Sequence, residues 1–462
     1  MRERAWERGG LLVWVAALLF LTFFGGVLVA VADVFPARHI RDAYRAGTAL
    51  YSKLSHYSDP LASDLWSVAR TPERGVTVHD PDRVHPGLTL FTSPHASGAY
   101  LIAADGSVVH EWHKRFSEVW DASSPVRQPV QDRQVYLNKA RVLPDGGLLG
   151  VYIGVGDSPY GYGMVRLDPD SNVLWKNLDR FHHDVDIGPD GRIYALTHDY
   201  RKAKPADTSF EPPLLDDHLV VVSPFDGTTL KKISLLDAVN ASTFRRLLWL
   251  VPPVSMEDPL HTNGVDVLDR EAAATLGAHV PVAAEGQVLL SFRELAGGTV
   301  ALLDVDREII VWAMRGPWLG QHDPDVLPNG NLLVFDNRGR FGSEEGQTRV
   351  IEVNPGTGAL VWSYGEEPTR PLDSPIRGSQ QRLPNGNTLI TESSAGRLLE
   401  VTAAGETVWE YINPVRDERE RDGTEVIPIL SWAQRVEIDQ LSPEFRDRIS
   451  ETIRRQEEGQ TR

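Results

Sequence analysis

Cysteine is absent from the 462 residues. Disulfides, Cys-ligated zinc, iron–sulfur clusters and thiol nucleophiles are thereby excluded. The absence leaves the compartment open, because a chain of this size buries enough core to do without disulfides. Positive charge is scarce: 47 Lys and Arg stand against 64 Asp and Glu, a formal net charge of −17. That argues against a nucleic-acid partner held by a basic stripe. Long helical periodicity is missing from the body of the chain until Pro443–Gln456. So are a Walker loop, a GxGxxG turn, a Ser elbow and a zinc signature. No cofactor is called for. What remains is ordinary for a folded protein, 41% hydrophobic and 24% charged, with 39 Gly and 31 Pro that favour short strands and turns.

One long apolar run is present. Leu11–Val31 is uncharged over 21 residues, enough to cross a bilayer as a helix. Ala30-Val31-Ala32 resembles a small-residue cleavage site. Residues 1–33 are read as a membrane anchor or signal segment, an uncleaved anchor being preferred. Arg2, Arg4 and Arg8 precede the run and Arg38, Arg41, Arg45 and Lys53 follow it, so the positive-inside count does not orient it. The usual exported arrangement places the large acidic domain outside the cytoplasm. Residues 34–86 are read as a helical stalk and linker, with amphipathic helices over Ile40–Val68 and a proline-containing linker over Thr71–Pro86.

From about residue 87 to 440 the chain repeats itself. One landmark is a turn before an apolar strand: Leu143-Pro-Asp-Gly146, Gly188-Pro-Asp-Gly191, Leu327-Pro-Asn-Gly330 and Leu383-Pro-Asn-Gly386. The other is a small turn with Trp or a substitute four residues on: His110, Trp175, Lys231, Trp312, Trp362 and Trp409. Six such units of three or four strands predict an all-β fold, a six-bladed β-propeller. Insertions fall at 201–218, 238–259 and 269–285. The first unit is one strand short, so Ile427–Ile438 is expected to pair with it and close the ring. Residues 441–462 are expected to form a charged, solvated C-terminal helix.

Counting from the turns locates candidate site residues. Six residues before the turn proline stand Asn138, His183, His322 and Gly378, with His261-Thr-Asn263 in the matching place of the fourth unit. The climbing strands end in His198-Asp199, Arg293 and Asp336-Asn337-Arg338. His183, His261, His322, Asn263 and Arg293 are thus expected at one mouth of the channel, where they suit an anionic substrate. The plain alternative is that they solvate a wet tunnel. His182 is expected on the opposite strand face from His183, as a hydrogen-bond partner. Asp184, Asp186, Asp323 and Asp325 repeat as His-Asp-x-Asp; strand alternation points Asp184 and Asp186 away from His183, and they are expected to fix turns or bond neighbouring blades. Gly154–Gly163 is read as a rim loop.

Taken in order, His-His-Asp-Val-Asp (182–186), His-x-Asn (261–263) with Ser-Phe-Arg (291–293), and Gln-His-Asp through Leu-Pro-Asn-Gly-Asn to Phe-Asp-Asn (321–337) resemble the bacterial arylsulfate sulfotransferases. The resemblance spans roughly residues 87–440. It implies a periplasmic six-bladed propeller that moves a sulfuryl group from a phenolic sulfate ester to a phenol. The reaction it implies runs through a sulfohistidine and without phosphoadenosine phosphosulfate. By position, His322 resembles the nucleophile, and His261 and Arg293 the groups on the sulfuryl oxygens. His183 resembles the acid–base histidine and Asn263 an orienting neighbour; Asn138, Asn337 and His182 are assigned to substrate binding. The implied partners are an aryl sulfate, a phenol and, through the N-terminal helix, the bacterial inner membrane. Two departures stand out: no cysteine pair, and no counterpart of a separate N-terminal β domain. Competing readings are a non-catalytic envelope-binding propeller and a metal-dependent hydrolase. Nothing in the sequence sets the oligomeric state.

Overall fold

The computed structural model describes residues 2–32, 34–37, 61, 63–252, 255–338, 348–366, 371–419 and 422–460. It divides into two units, residues 1–59 and 60–462. The first contains a helix over Arg2–Val31. Among the described residues no helix is long and apolar enough to cross a membrane, so the expected span is seen as a helix and not as a crossing. The stalk expected over residues 38–60 lies outside the described residues.

The second unit is all-β: six antiparallel sheets and one small sheet. Blade 2 shows the plan. Val135–Val142 is innermost, followed outward by Leu148–Gly154, Gly161–Leu167 and Val173–Asn177. The inner strands of blades 3 to 6 are Phe181–Ile187, Thr262–Val267, His322–Val326 and Ser379–Arg382. The inner strand of blade 1 comes from the other end of the chain: Trp432–Val436 pairs with Leu88–Ser93 in the register Ala433 to Phe91. The expected closing segment is therefore in place. The inner strands touch in circular order, blade 6 against blade 1 included. This is a six-bladed propeller.

The core is a set of apolar wedges between blades. Between blades 2 and 3, Leu149, Val151, Met164 and Trp175 meet Val185, Ile193, Ala195 and Val220. Burying a valine, leucine, isoleucine or methionine side chain there contributes about 1.5–3 kcal/mol. The second repeat landmark has a polar purpose as well. Five of the six outer-strand donors reach a carbonyl in the next blade: His110 Nε2 to Pro169 (2.9 Å), Trp175 Nε1 to Pro224 (3.0 Å), Lys231 Nζ to Val305 (2.7 Å), Trp362 Nε1 to Ala403 (2.9 Å) and Trp409 Nε1 to Ala104 (2.8 Å). Trp, His and Lys are interchangeable here because each offers an N–H at the end of a long side chain.

Three expectations are corrected. The segment read as a linker contains a strand, Gly75–His79, which pairs with Thr407–Ile412 as a fifth strand of blade 6. Its Gly-Val-Thr-Val-His alternation suits an edge that still needs covering. Trp66–Val68, expected as helix, is a strand paired with Glu425–Pro428. The C-terminal helix, Pro443–Gln460, is charged but not wholly solvated. Phe445 and Ile449 are buried, and the Phe445 ring lies 5.0 Å from that of His110.

Candidate functional site

The site is built by a defect repeated from blade to blade. The inner strands of blades 2 to 5 lose register at the same end, between Leu137 and Lys139, His182 and Val185, Thr262 and Gly264, and His322 and Asp325. Such bulges re-aim side chains. Three non-glycine residues there sit in the left-handed region: His183 (φ 50°), His261 (φ 44°) and Asp323 (φ 49°). Each such conformation costs on the order of 1–3 kcal/mol and persists only where surroundings enforce it. In blade 6 the matching position is Gly378 (φ 136°), where a Cβ would fall 2.2 Å from the Phe335 ring.

The bulged ends surround a cavity of about 260 Å³. Asn138, His183, His261, Asn263, Arg293 and His322 all line it. His182 and Asn337 do not; they lie behind His183 and His322. Asp184 shares the cavity with His183, against the alternation, because the bulge at His183 turns the strand by one residue. The expected task of these aspartates holds: Asp184 accepts from the Val265 N–H (2.9 Å) and Asp186 from the Val267 N–H (2.8 Å), both in the next blade.

Each lining group is held from behind. His322 Nδ1 faces Asn337 Oδ1 at 2.6 Å. The Asn337 amide nitrogen donates to the Ser374 and Arg377 carbonyls, so its oxygen must be what faces the ring. Nδ1 therefore carries the proton and Nε2 is the bare lone pair. Burial, aided by the Arg293 charge, lowers the His322 pKa to about 3. Burial and the neighbouring His261 also hold His183 well below its ordinary value. Both rings are neutral at pH 7. Arg293 is steered by Glu294 (3.0 Å), which accepts from the Ser255 hydroxyl (2.7 Å). His261 Nδ1 pairs with the Asp258 carboxylate. Asn263 donates to the Gln321 carbonyl (2.8 Å) and so braces the start of the His322 strand.

Sequence reasoning missed Lys139, Tyr160 and Arg377, which also line the cavity. Lys139 occupies the repeat position of Asp184 and Asp323 and pairs with both, at 2.5 and 3.2 Å. Burial alone would lower its pKa, but these carboxylates raise it above its ordinary value. Aligning the repeats one residue past Asn138 would have found it. Tyr160 comes from the Gly154–Gly163 loop and leaves no such signal. Its ring lies 5.4 Å from His183 and 5.9 Å from His261.

Behind the cavity is a second knot of buried groups. Among the described residues, His182, His198 and Asp217 form a group whose potential ligand atoms lie within 4.8 Å of one another. The geometry does not fit a metal. The rings of His182 and His198 are stacked, 4.4 Å apart and 21° from parallel. A ring nitrogen's lone pair lies in the ring plane, and two such planes do not converge on one ion. The Gly161 N–H also donates to His198 Nε2 at 3.1 Å.

The Arylsulfotransferase (ASST) family model matches residues 139–414. No curated protein matches the chain. Among solved structures it is similar to a protein of unknown function from Bacteroides caccae, at 14% identity and TM-score 0.45 over 75% of this chain and 99% of that one. It is also similar to a streptogramin B lyase (11%, TM-score 0.39, 80% and 97%) and to the WD40 propeller of Doa1 (11%, TM-score 0.37, 82% and 99%). With the family model covering more than half of its length, the chain belongs to the arylsulfotransferase (ASST) family.

Proposed function

We propose that the cavity transfers a sulfuryl group from an aryl sulfate to a phenol in two steps, with His322 as the covalent carrier and without a nucleotide sulfate donor. The observation that carries this reading is the fixed tautomer of His322 beside Arg293. The bare Nε2 attacks sulfur, an S–N bond forms and the S–OAr bond breaks. Arg293 and His261 bind the sulfuryl oxygens and orient the transferring group towards His322. His183 gives a proton to the departing aryloxide and later removes one from the incoming phenol, whose oxygen then takes the sulfuryl group from His322. Asn138 and Asn263 brace the strands that present these rings, and His182 and Asn337 support them from behind. Tyr136, Ile153, Val155 and Trp432 give the cavity an apolar wall suited to an aryl ring.

The apolar run Leu11–Val31 anchors the chain in the bacterial inner membrane, with the propeller on the periplasmic side. Trp14, Leu19, Phe20, Phe23 and Leu28 are exposed on the N-terminal helix, and hydrocarbon is the surrounding that suits them.

The test uses the full chain, nitrophenyl sulfate and phenol. Nitrophenolate release and a sulfuryl mass increment on the intact protein, located to His322, are expected. Binding without turnover or adduct would sink the reading.

A further inference from the structure

Sulfuryl exchange between two phenols leaves a bookkeeping question for protons. The departing aryloxide needs one, the incoming phenol loses one, and the two events are separated in time. The protein must therefore give up a proton in the first half-reaction and recover one in the second. On the reading proposed above, His183 is the group in contact with these oxygens, and what lies behind it decides where the proton goes.

His183 Nδ1 is 2.8 Å from His182 Nδ1. Two ring nitrogens at that distance share one proton, so one ring donates and the other accepts. The choice sets the far nitrogens as well. If His182 donates, neutral His183 carries its other proton on Nε2, while His182 Nε2 is bare. If His183 donates, its Nε2 is bare and His182 Nε2 carries a proton. His182 Nε2 faces Asp217 Oδ1 at 3.6 Å. Both residues are essentially inaccessible, and neither atom has a hydrogen-bond partner. The other oxygen, Oδ2, is held by the Thr262 N–H at 2.6 Å, which aims Oδ1 at the histidine. A gap of 3.6 Å exceeds a formed hydrogen bond, and contacts of this kind often tighten only in the substrate complex.

We propose that His182 and Asp217 are positioning residues that form a proton relay behind His183, with Asp217 as the store. Neither touches substrate; both act through His183. In the first half-reaction His183 Nε2–H protonates the departing aryloxide. The His182 Nδ1 proton moves to His183 Nδ1, and the Asp217 proton moves to His182 Nε2. Asp217 is left as a carboxylate, and its charge balances the cationic sulfoimidazolium formed on His322. In the second half-reaction the phenol proton enters at His183 Nε2, the chain runs backwards, and Asp217 is protonated again. No oxidant or external base is needed. Burial, with Asp258 nearby, raises the Asp217 pKa well above its ordinary value, in keeping with a resting carboxylic acid.

Asp217→Asn separates this role from a structural one. Asn keeps an oxygen for the Thr262 N–H and places an N–H toward His182 Nε2. That holds His182 as the Nδ1–H form and His183 as a proton donor. Nitrophenolate leaves before it is protonated and takes the His183 proton only after the S–O bond has broken, so its release in the first turnover is expected to fall no more than about threefold. Transfer from the His322 adduct to phenol is expected to fall about 10²-fold or more, the range of general-base catalysis. The loss should grow with acceptor pKa, and adduct should accumulate in the mass spectrum. His182→Gln should give the same asymmetry. For the unmodified chain, mixtures of light and heavy water should give a curved proton inventory in the second half-reaction and a flat one in the first. That measurement stands even where a variant does not fold. Equal losses in both half-reactions with a linear inventory, or stoichiometric metal that disappears in Asp217→Asn, would overturn the relay alone. An unmodified chain that releases no nitrophenolate and forms no adduct would overturn the transfer reading and the relay with it.

Discussion

The two ends of the channel are lined by the same strands, three residues apart, and are chemically opposite. At the upper end stand Asn138, His183, Asn263 and His322, neutral groups beside Arg293. At the lower end the matching positions are Arg141, Asp186, Asp266 and Asp325, around a second cavity of about 290 Å³. Between them Lys139, Asp184 and Asp323 form an ion-paired layer. The upper end suits an anion because Arg293 and Arg377 line its cavity, while burial keeps His183 and His322 neutral. The lower end places carboxyl groups at three of these four positions, and among the four only Asp186 has a cationic partner, Arg141 at 2.9 Å. A repeated scaffold thus fixes the placement of side chains, and their identity alone decides what each end binds.

The largest expected effect breaks the upper end. His322→Ala removes the bare Nε2 and should abolish both adduct and turnover while the fold is retained. In the unmodified chain the lone pair survives until pH falls toward the pKa of about 3. The acid limb of nitrophenolate release should therefore lie near pH 3 to 4 in single-turnover measurements. A limb between pH 6 and 7 would mean that His322 is solvated and not held as described.

The ion-paired layer comes next. Lys139→Met keeps an apolar stem but removes the ammonium from Asp184, Asp323 and the face of Trp432, a break in a buried network. Such breaks cost about 3–5 kcal/mol. Denaturant unfolding should show a loss of that size with little change in slope. A loss under 1 kcal/mol would show that water reaches the layer and that the two ends of the channel are not separated.

Much of this arrangement was legible in the sequence, for a physical reason. The turn prolines and the outer-strand donors recur because every blade must turn and must hold its neighbour. His110, Lys231 and Trp409 differ in chemistry but share one hydrogen-bonding task. Counting back from the turns reached Asn138, His183 and His322 because turn and site lie on one strand. The count erred at Asp184, since a left-handed residue at 183 shifts the alternation by one. Tyr160 and Asp217 were invisible for another reason. They reach the site from a loop and from a third strand, through contacts between elements that no spacing encodes.

The smallest effect sharpens the lower end. Burial and the nearby Asp186 carboxylate raise the Asp266 pKa to about 7. The unfolded chain releases this proton near pH 4, so between about pH 4 and 7 the folded state holds a proton that the unfolded state has lost. Stability attributable to this group is full below that window and declines as pH rises through it, levelling off above about 7. Asp266→Asn retains an oxygen for the Val326 N–H, 3.4 Å away, and cannot ionise. Its stability relative to the unmodified chain should therefore improve steadily from pH 4 to 7, read as the difference in denaturant midpoints. Sulfuryl transfer at the upper end should be unaffected. A difference that does not vary with pH would mean that Asp266 is already ionised in the folded protein, and that Arg141 neutralises the lower end more fully than its pairing with Asp186 suggests.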